Sequence, residues 1–277
     1  MAPLSPPETA SPPLGHHAGN ALAALGRYSL GLATGSVQVV SLLATTFAML
    51  ITGGSDGQRI SFGAVVRRAT DMGPLAFWLT VRFGLSLGVV FGILLETWLQ
   101  WADLLEIAIG EATGVLVEQV APLFVAIMVA ARSGAALAAD LGSMAAAREI
   151  DALRSLGLSP ERLLVAPAIL GALVALPLLT VIMIACVLLT LAFYLHLTQI
   201  SSALLILSLA LNTIEPGAVS MALGKGALFG ALIVAIAAVQ GLAAQPTTRM
   251  AGLGVTGAIV TMISTILLLN AILTLVF

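Results

Sequence analysis

Five long stretches with few or no charged residues constrain this chain more than any other feature of its sequence. They lie at about 73–95, 112–131, 163–192, 220–240 and 252–276. A helix needs about 20 mainly apolar residues to cross a bilayer, and in lipid its backbone must satisfy its own hydrogen bonds. The sequence therefore predicts an all-α integral membrane protein with five transmembrane helices.

The composition excludes several other classes of protein. Charged residues make up 9% of the 277 residues, whereas a soluble domain carries about 25%. The net charge of −2 offers no basic surface for nucleic acid. Cys186 is the sole cysteine, no metal-ligand spacing occurs, and no G-x-x-x-x-G-K-[ST] phosphate loop is present. We expect no enzyme activity and no cofactor in this chain, so any ATP binds to a separate chain.

The regions outside the five stretches are less apolar. Residues 1–20 are rich in proline and predict a disordered tail. Residues 21–50 are apolar but interrupted by glycine and polar residues, which favours an amphipathic helix lying along the membrane surface over a sixth span. This region extends to residue 72 as an interfacial elbow. The mixed segment 196–217 is consistent with a re-entrant or interfacial helix.

Basic residues predict the orientation. Nine of the eleven Lys and Arg residues lie before the first stretch, between the second and third, or between the fourth and fifth. Because basic residues accumulate in cytoplasmic loops, these regions are predicted to be cytoplasmic. The N-terminus and the 132–162 loop would then be cytoplasmic, and the C-terminus would lie outside.

Charged and polar side chains inside the stretches are candidates for a functional site, because they are costly in lipid. They are Arg82, Glu118, Gln119 and Lys225. Counting residues from the cytoplasmic ends puts Arg82 and Glu118 at similar depth, which predicts an ion pair, either functional or purely structural. For Lys225 the alternative is snorkelling to the membrane surface.

Small residues recur every four positions in three of the predicted spans. Such faces let helix backbones approach closely in lipid, and packing within the chain is favoured over a subunit interface. The positions are Gly84, Gly88, Gly92, Gly226, Gly230, Ala130, Gly134 and Ala138.

The 132–162 loop contains a second candidate site. Met144–Leu156 is predicted to form a helix with Ile150, Leu153 and Leu156 on one face, ended by Gly157. Its charged positions are Arg148, Glu149, Asp151 and Arg154. A short amphipathic helix between two spans suits docking into a partner's groove, and a solvated connector is the alternative.

Residues 118–182 resemble the MlaE/YrbE family of ABC-transporter permeases. That family has a G-R-x-G-[AS]-A-[IL]-x-A-E-[IL]-G-[TS]-M run, and residues 131–144 read ARSGAALAADLGSM. The EIDA at 149–152, the Leu-Ser-Pro turn at 158–160 and the Leu-Pro-Leu-Leu at 176–179 also fit. The resemblance extends over most of residues 21–277 and is most specific in 118–182.

The resemblance implies a permease domain over 21–277. Its interfacial helix would lie in 21–72 and its five spans in 73–277. It implies a homodimer in the inner membrane, two cytoplasmic ATPase subunits that hold ATP, a periplasmic MCE-domain protein and a small cytoplasmic STAS-domain protein. The helix in 132–162 would be the coupling helix. The cargo would be phospholipid or a related lipid moved between the inner and outer membranes, maintaining outer-membrane lipid asymmetry.

The chain departs from the family at the start of the second span. The family usually has Arg-Glu-x-Gly-Pro where this chain has Glu118-Gln119-Val120-Ala121-Pro122. We expect Arg82 and Lys225 to hold the head-group phosphate. An ion-coupled secondary transporter that titrates Glu118, and a non-transporting membrane scaffold, are the alternative functions.

Overall fold

The computed structural model describes residues 39, 41, 44, 62–99, 105–243 and 248–276. These residues form a helical bundle, and no β-strand occurs among them. The longer elements are α1 (Phe62–Leu99), α2 (Leu105–Val115), α3 (Ala121–Val129), α4 (Ala135–Ala146), α5 (Glu149–Ser155), α6 (Ala166–Leu197), α7 (Ala203–Thr213), α8 (Pro216–Leu242) and α9 (Thr248–Val276). Three π-helical turns join some of them: π1 (Leu116–Val120), π2 (Ala130–Gly134) and π3 (Glu161–Val165).

Five segments are long and apolar enough to cross a membrane, which confirms the predicted number of spans. They are Ala76–Thr97, Ile107–Ala146, Glu161–Leu197, Pro216–Leu242 and Val255–Val276. The predicted tail at 1–20 and nearly all of the predicted interfacial region at 21–72 lie outside the described residues or lack described side chains.

The second span is longer than the sequence predicts. From Leu105 the chain runs through α2, π1, α3, π2 and α4 to Ala146 without leaving helical geometry. Arg132 therefore lies in a helix that continues from span two, and residues 132–146 of the predicted connecting loop are helical. The role of 132–162 as a coupling loop stays a prediction. The Ala- and Leu-rich composition of 135–146 explains the continuation, because these residues have the highest helix propensities.

The predicted helix Met144–Leu156 is two helices. α4 ends at Ala146, and Arg148 takes a left-handed backbone conformation (φ 58°) before α5 begins at Glu149. Gly157 (φ 75°) follows α5, as predicted, in a conformation that favours glycine. Ile150 is buried, but Leu156 is 74% exposed, so the predicted apolar face is incomplete.

α1 and α6 run in the same direction and meet through the glycines of α1. Gly84 lies against Cys186, Gly88 against Thr190 and Gly92 against Tyr194. The residue numbers of both helices increase along the contact, so the two helices are parallel. A Cβ atom on Gly88 would lie 2.6 Å from the Thr190 Cβ and 2.8 Å from the Val187 carbonyl oxygen. The small-residue face of α1 is thus occupied by a helix of the same chain.

α8 occupies the centre of the bundle and runs antiparallel to α6. Gly226 lies against Thr180 and Pro177, and Gly230 lies against the Ala172 backbone. Gly134 of π2 lies against Ile233 of α8 and Met262 of α9, and Ala130 and Ala138 are buried. Two thirds of span four (67%) is buried in the bundle, compared with 11% of span five. α9 packs against α8, α4, π2 and α3 through one face, on which Ala258, Met262 and Ile266 are fully buried.

The segment 196–217 contains the short apolar helix α7. Ser202 caps it, since the Leu205 N–H donates to the Ser202 hydroxyl at 3.3 Å. α7 packs against α2 and α6. Whether it lies along a membrane surface stays a prediction.

Substitution of Gly88 tests the α1–α6 contact. Gly88→Ala should lower the free energy of unfolding by about 1–3 kcal/mol, because the added methyl group forces the two backbones apart. The matched control is Gly224→Ala in α8, where a Cβ meets nothing within 4 Å. Thermal unfolding in detergent measures both, and equal midpoints for the two variants would contradict the close packing.

Candidate functional site

Lys225 lies inside the bundle on α8, with 3% of its surface exposed. Its ammonium group donates one hydrogen bond to the backbone carbonyl of Glu118 (3.1 Å) and one to Gln119 Oε1 (2.9 Å). Snorkelling, the alternative considered for Lys225, is wrong: the side chain points inward because these two acceptors lie in the neighbouring turn π1.

Gln119 extends this network to the last helix. Its Oε1 atom also accepts from the Thr274 hydroxyl of α9 at 2.7 Å, which shares its one hydrogen between Gln119 and the Asn270 backbone carbonyl (2.8 Å). This network connects α8, π1 and α9, and we refer to it as the Lys225 clasp. It consists of Lys225, the Glu118 carbonyl, Gln119 and Thr274. The glutamine oxygen uses both of its acceptor positions.

The Glu118 carbonyl can accept a hydrogen bond from Lys225 because of the residue four positions later in the sequence. In an α-helix this carbonyl would accept from the N–H of residue 122, but residue 122 is proline and has none. The chain forms π1 immediately before Pro122, which lies at the start of α3. The Lys225 ammonium thus supplies a donor to a carbonyl that proline deprives of its usual partner.

The structure does not bring Arg82 to Glu118. Arg82 lies on the exposed side of α1, away from the buried glycine positions that contact α6. Ion pairs within the described segments include those of Arg154 with Asp151 (3.9 Å) and with Glu161 (3.5 Å). The predicted Arg82–Glu118 pair is wrong, because equal depth along two helices does not put two side chains on facing sides. A head-group role for Arg82 stays a prediction.

A surface cleft lies beside the clasp. Its volume is about 440 Å³, and it is lined by Gln119, Asn270, Ala271, Thr274 and Leu275. The Oδ1 atom of Asn270 is buried and has no hydrogen-bond partner among the described residues. Sequence reasoning missed Asn270 and Thr274, since uncharged polar residues are frequent in span five. Their spacing of four residues, which puts both on one helix face, is the available signal.

The predicted coupling residues lie at the other end of the second span. Glu149 and Asp151 are exposed in the first turn of α5, and Arg154 in its last turn bridges Asp151 and Glu161. Leu156 and Arg148 are also exposed, whereas Met144 is half-buried at the end of α4. This end presents charged side chains and one apolar side chain to its surroundings.

Among the described residues, no three His, Cys, Asp or Glu side chains lie together in a way that could hold a metal ion. The polar interior is instead a hydrogen-bonded network within a bundle of membrane-spanning helices. The described residues thus form a membrane-protein fold in which a short charged helix lies between spans two and three.

Comparison with known proteins agrees with this class. The model of the family "Permease MlaE" matches residues 65–276. The chain therefore belongs to the MlaE permease family.

Three relatives illustrate the similarity. The chain is 30% identical over 142 residues to the chloroplastic protein TRIGALACTOSYLDIACYLGLYCEROL 1 of Arabidopsis thaliana, covering 51% of this chain and 41% of the relative. It is 26% identical over 129 residues to the intermembrane phospholipid transport system permease protein MlaE of Haemophilus influenzae, covering 46% and 49%. It is 29% identical over 165 residues to a probable ABC transporter permease protein of Rickettsia conorii, covering 58% and 62%. The matched regions thus span about half of each relative.

Substitution of Lys225 tests the clasp. Lys225→Met should lower the free energy of unfolding by about 1–3 kcal/mol, because it removes the ammonium donor from the part-buried Glu118 carbonyl, whose α-helical donor position is Pro122. Arg148→Met is the matched control and should change stability by less than about 0.5 kcal/mol, since Arg148 is exposed and lies outside the membrane-spanning segments. Chemical unfolding in detergent measures both, and a Lys225→Met variant as stable as the control would contradict the clasp.

Proposed function

We propose that this chain is the transmembrane subunit of an ABC transporter that moves phospholipid or a related lipid. The observation that carries the proposal is the match to the MlaE permease family over residues 65–276, in a chain whose described part has five membrane-spanning segments. The Haemophilus and Rickettsia relatives, named as a phospholipid transport permease and a probable ABC transporter permease, support the same class.

The protein would act as a homodimer in the inner membrane, with its N-terminus in the cytoplasm and its C-terminus in the periplasm. An ATPase on separate chains would dock on α5. A periplasmic MCE-domain protein and a small cytoplasmic STAS-domain protein would complete the transporter. Lipid exchange between the inner and outer membranes would maintain outer-membrane lipid asymmetry.

The exposed surface of α5 suits ATPase docking. Glu149 and Asp151 project from its first turn into solvent, and exposed Leu156 follows its end. The ion pairs of Arg154 hold α5 against the start of the third span at Glu161. A push on α5 by an ATPase would therefore be transmitted to two membrane spans, through α4 on one side and π3 on the other.

ATP-driven lipid transfer tests this function. The chain, reconstituted in vesicles with its ATPase, should move fluorescent phospholipid only when ATP is present. The variant Glu149→Lys with Asp151→Lys should reduce transfer and ATPase co-purification more than about tenfold, because reversed charges at an interface cost several kcal/mol.

The matched control reverses two exposed acidic residues far from α5, Glu111→Lys with Glu215→Lys, and should leave both measurements unchanged. Transfer that continues without ATP under a proton gradient and is lost in Glu118→Gln would support a secondary transporter instead. A chain that binds an ATPase but moves no lipid would support the scaffold alternative.

A further inference from the structure

The lining of the cleft beside the Lys225 clasp is mainly apolar, with three polar side chains and no charged one. Gln119, Asn270 and Thr274 contribute two amides and a hydroxyl, and Ala271 and Leu275 are apolar. Its volume of about 440 Å³ lies within the usual range for small-molecule sites, roughly 300–1,000 Å³. The chemistry of these groups determines what the cleft can bind.

The cation nearest to the cleft, the Lys225 ammonium, is not available to a ligand there. Lys225 is 3% exposed, and its ammonium is engaged by the Glu118 carbonyl and Gln119 Oε1. A phosphate that drew the ammonium away would leave the Glu118 carbonyl without a donor, because Pro122 offers none. The cleft therefore presents neutral hydrogen-bonding groups, which do not compensate the charge of a buried anion.

Asn270 identifies the hydrogen-bonding character of a suitable ligand. Its Oδ1 atom is buried without a partner among the described residues, which is unfavourable for the folded protein. Because Asn270 lines the cleft, a ligand there that carries a donor would satisfy this acceptor. An ionised phosphodiester has acceptors only, whereas a hydroxyl both donates and accepts.

Gln119 complements Asn270. The clasp uses the Oε1 atom of Gln119 for both Lys225 and Thr274. The two hydrogens on Gln119 Nε2 take no part in the clasp, so they can donate to a hydroxyl oxygen in the cleft. One ligand hydroxyl can thus donate to Asn270 and accept from Gln119.

We propose that this cleft is a head-group subsite that binds a hydroxyl group of the transported lipid through Asn270 and Gln119. The inference rests on the proposed lipid transport and names the head-group chemistry that transport would select. The hydroxyl can belong to a phospholipid head group, such as glycerol, or to an uncharged lipid, such as diacylglycerol.

Two matched lipid pairs test the subsite on the full chain in detergent. Phosphatidylglycerol is compared with phosphatidylpropanol, which has the same phosphate and acyl chains without the hydroxyls. Diacylglycerol is compared with its 3-O-methyl ether. Direct binding should favour the hydroxyl-bearing member of at least one pair by about fivefold or more, and the pair that discriminates identifies the source of the hydroxyl.

The variant Asn270→Leu should abolish the preference and raise the unfolding temperature, because it replaces an unsatisfied buried amide with an apolar side chain. Asn212→Leu is the matched control, since Asn212 is exposed on α7 and outside the cleft, and should keep the preference. Equal binding within both pairs, or a preference that persists in Asn270→Leu, would overturn the subsite while leaving lipid transport intact. Failure to bind any of the four lipids would contradict the proposed function itself.

Discussion

The buried ammonium of Lys225 is the interaction on which the arrangement of the last two spans depends. A lysine nitrogen inside an apolar bundle must be hydrogen-bonded, because an unpaired buried charge costs several kcal/mol. Its partners lie on π1, and Gln119 passes the connection to Thr274. This polar connection adds to the apolar contacts by which α9 packs against α8, α4, π2 and α3.

The clasp also explains how the permease can contain a cation in its apolar interior. Pro122 removes the normal donor for the Glu118 carbonyl, and Lys225 replaces it. The lysine is therefore hydrogen-bonded within the protein, and the neighbouring cleft is lined by amide, hydroxyl and apolar groups. Recognition of a lipid would then depend on neutral hydrogen bonds at one end and on apolar walls along the acyl chains. A head-group role for Lys225 stays a prediction.

The number of spans was predictable because it depends on composition, and a helix in lipid has few alternatives. Glu118, Gln119 and Lys225 were also predictable as candidate residues, since charged residues inside spans are rare and Gln119 adjoins one. Their partners were not: residue counting gives depth but not helix face, so Arg82 was wrongly paired with Glu118. The break at Arg148 was missed because the Ala-rich sequence before it favours a continuous helix, and the cleft residue Asn270 carries no charge to mark it.

The coupling free energy between Lys225 and Gln119 tests the clasp most directly. A double-mutant cycle compares Lys225→Met, Gln119→Leu and the double variant by chemical unfolding in detergent. We predict that the double variant loses less stability than the two single variants together, by about 1 kcal/mol or more, because each substitution breaks the same hydrogen bond. Additive losses would contradict the account.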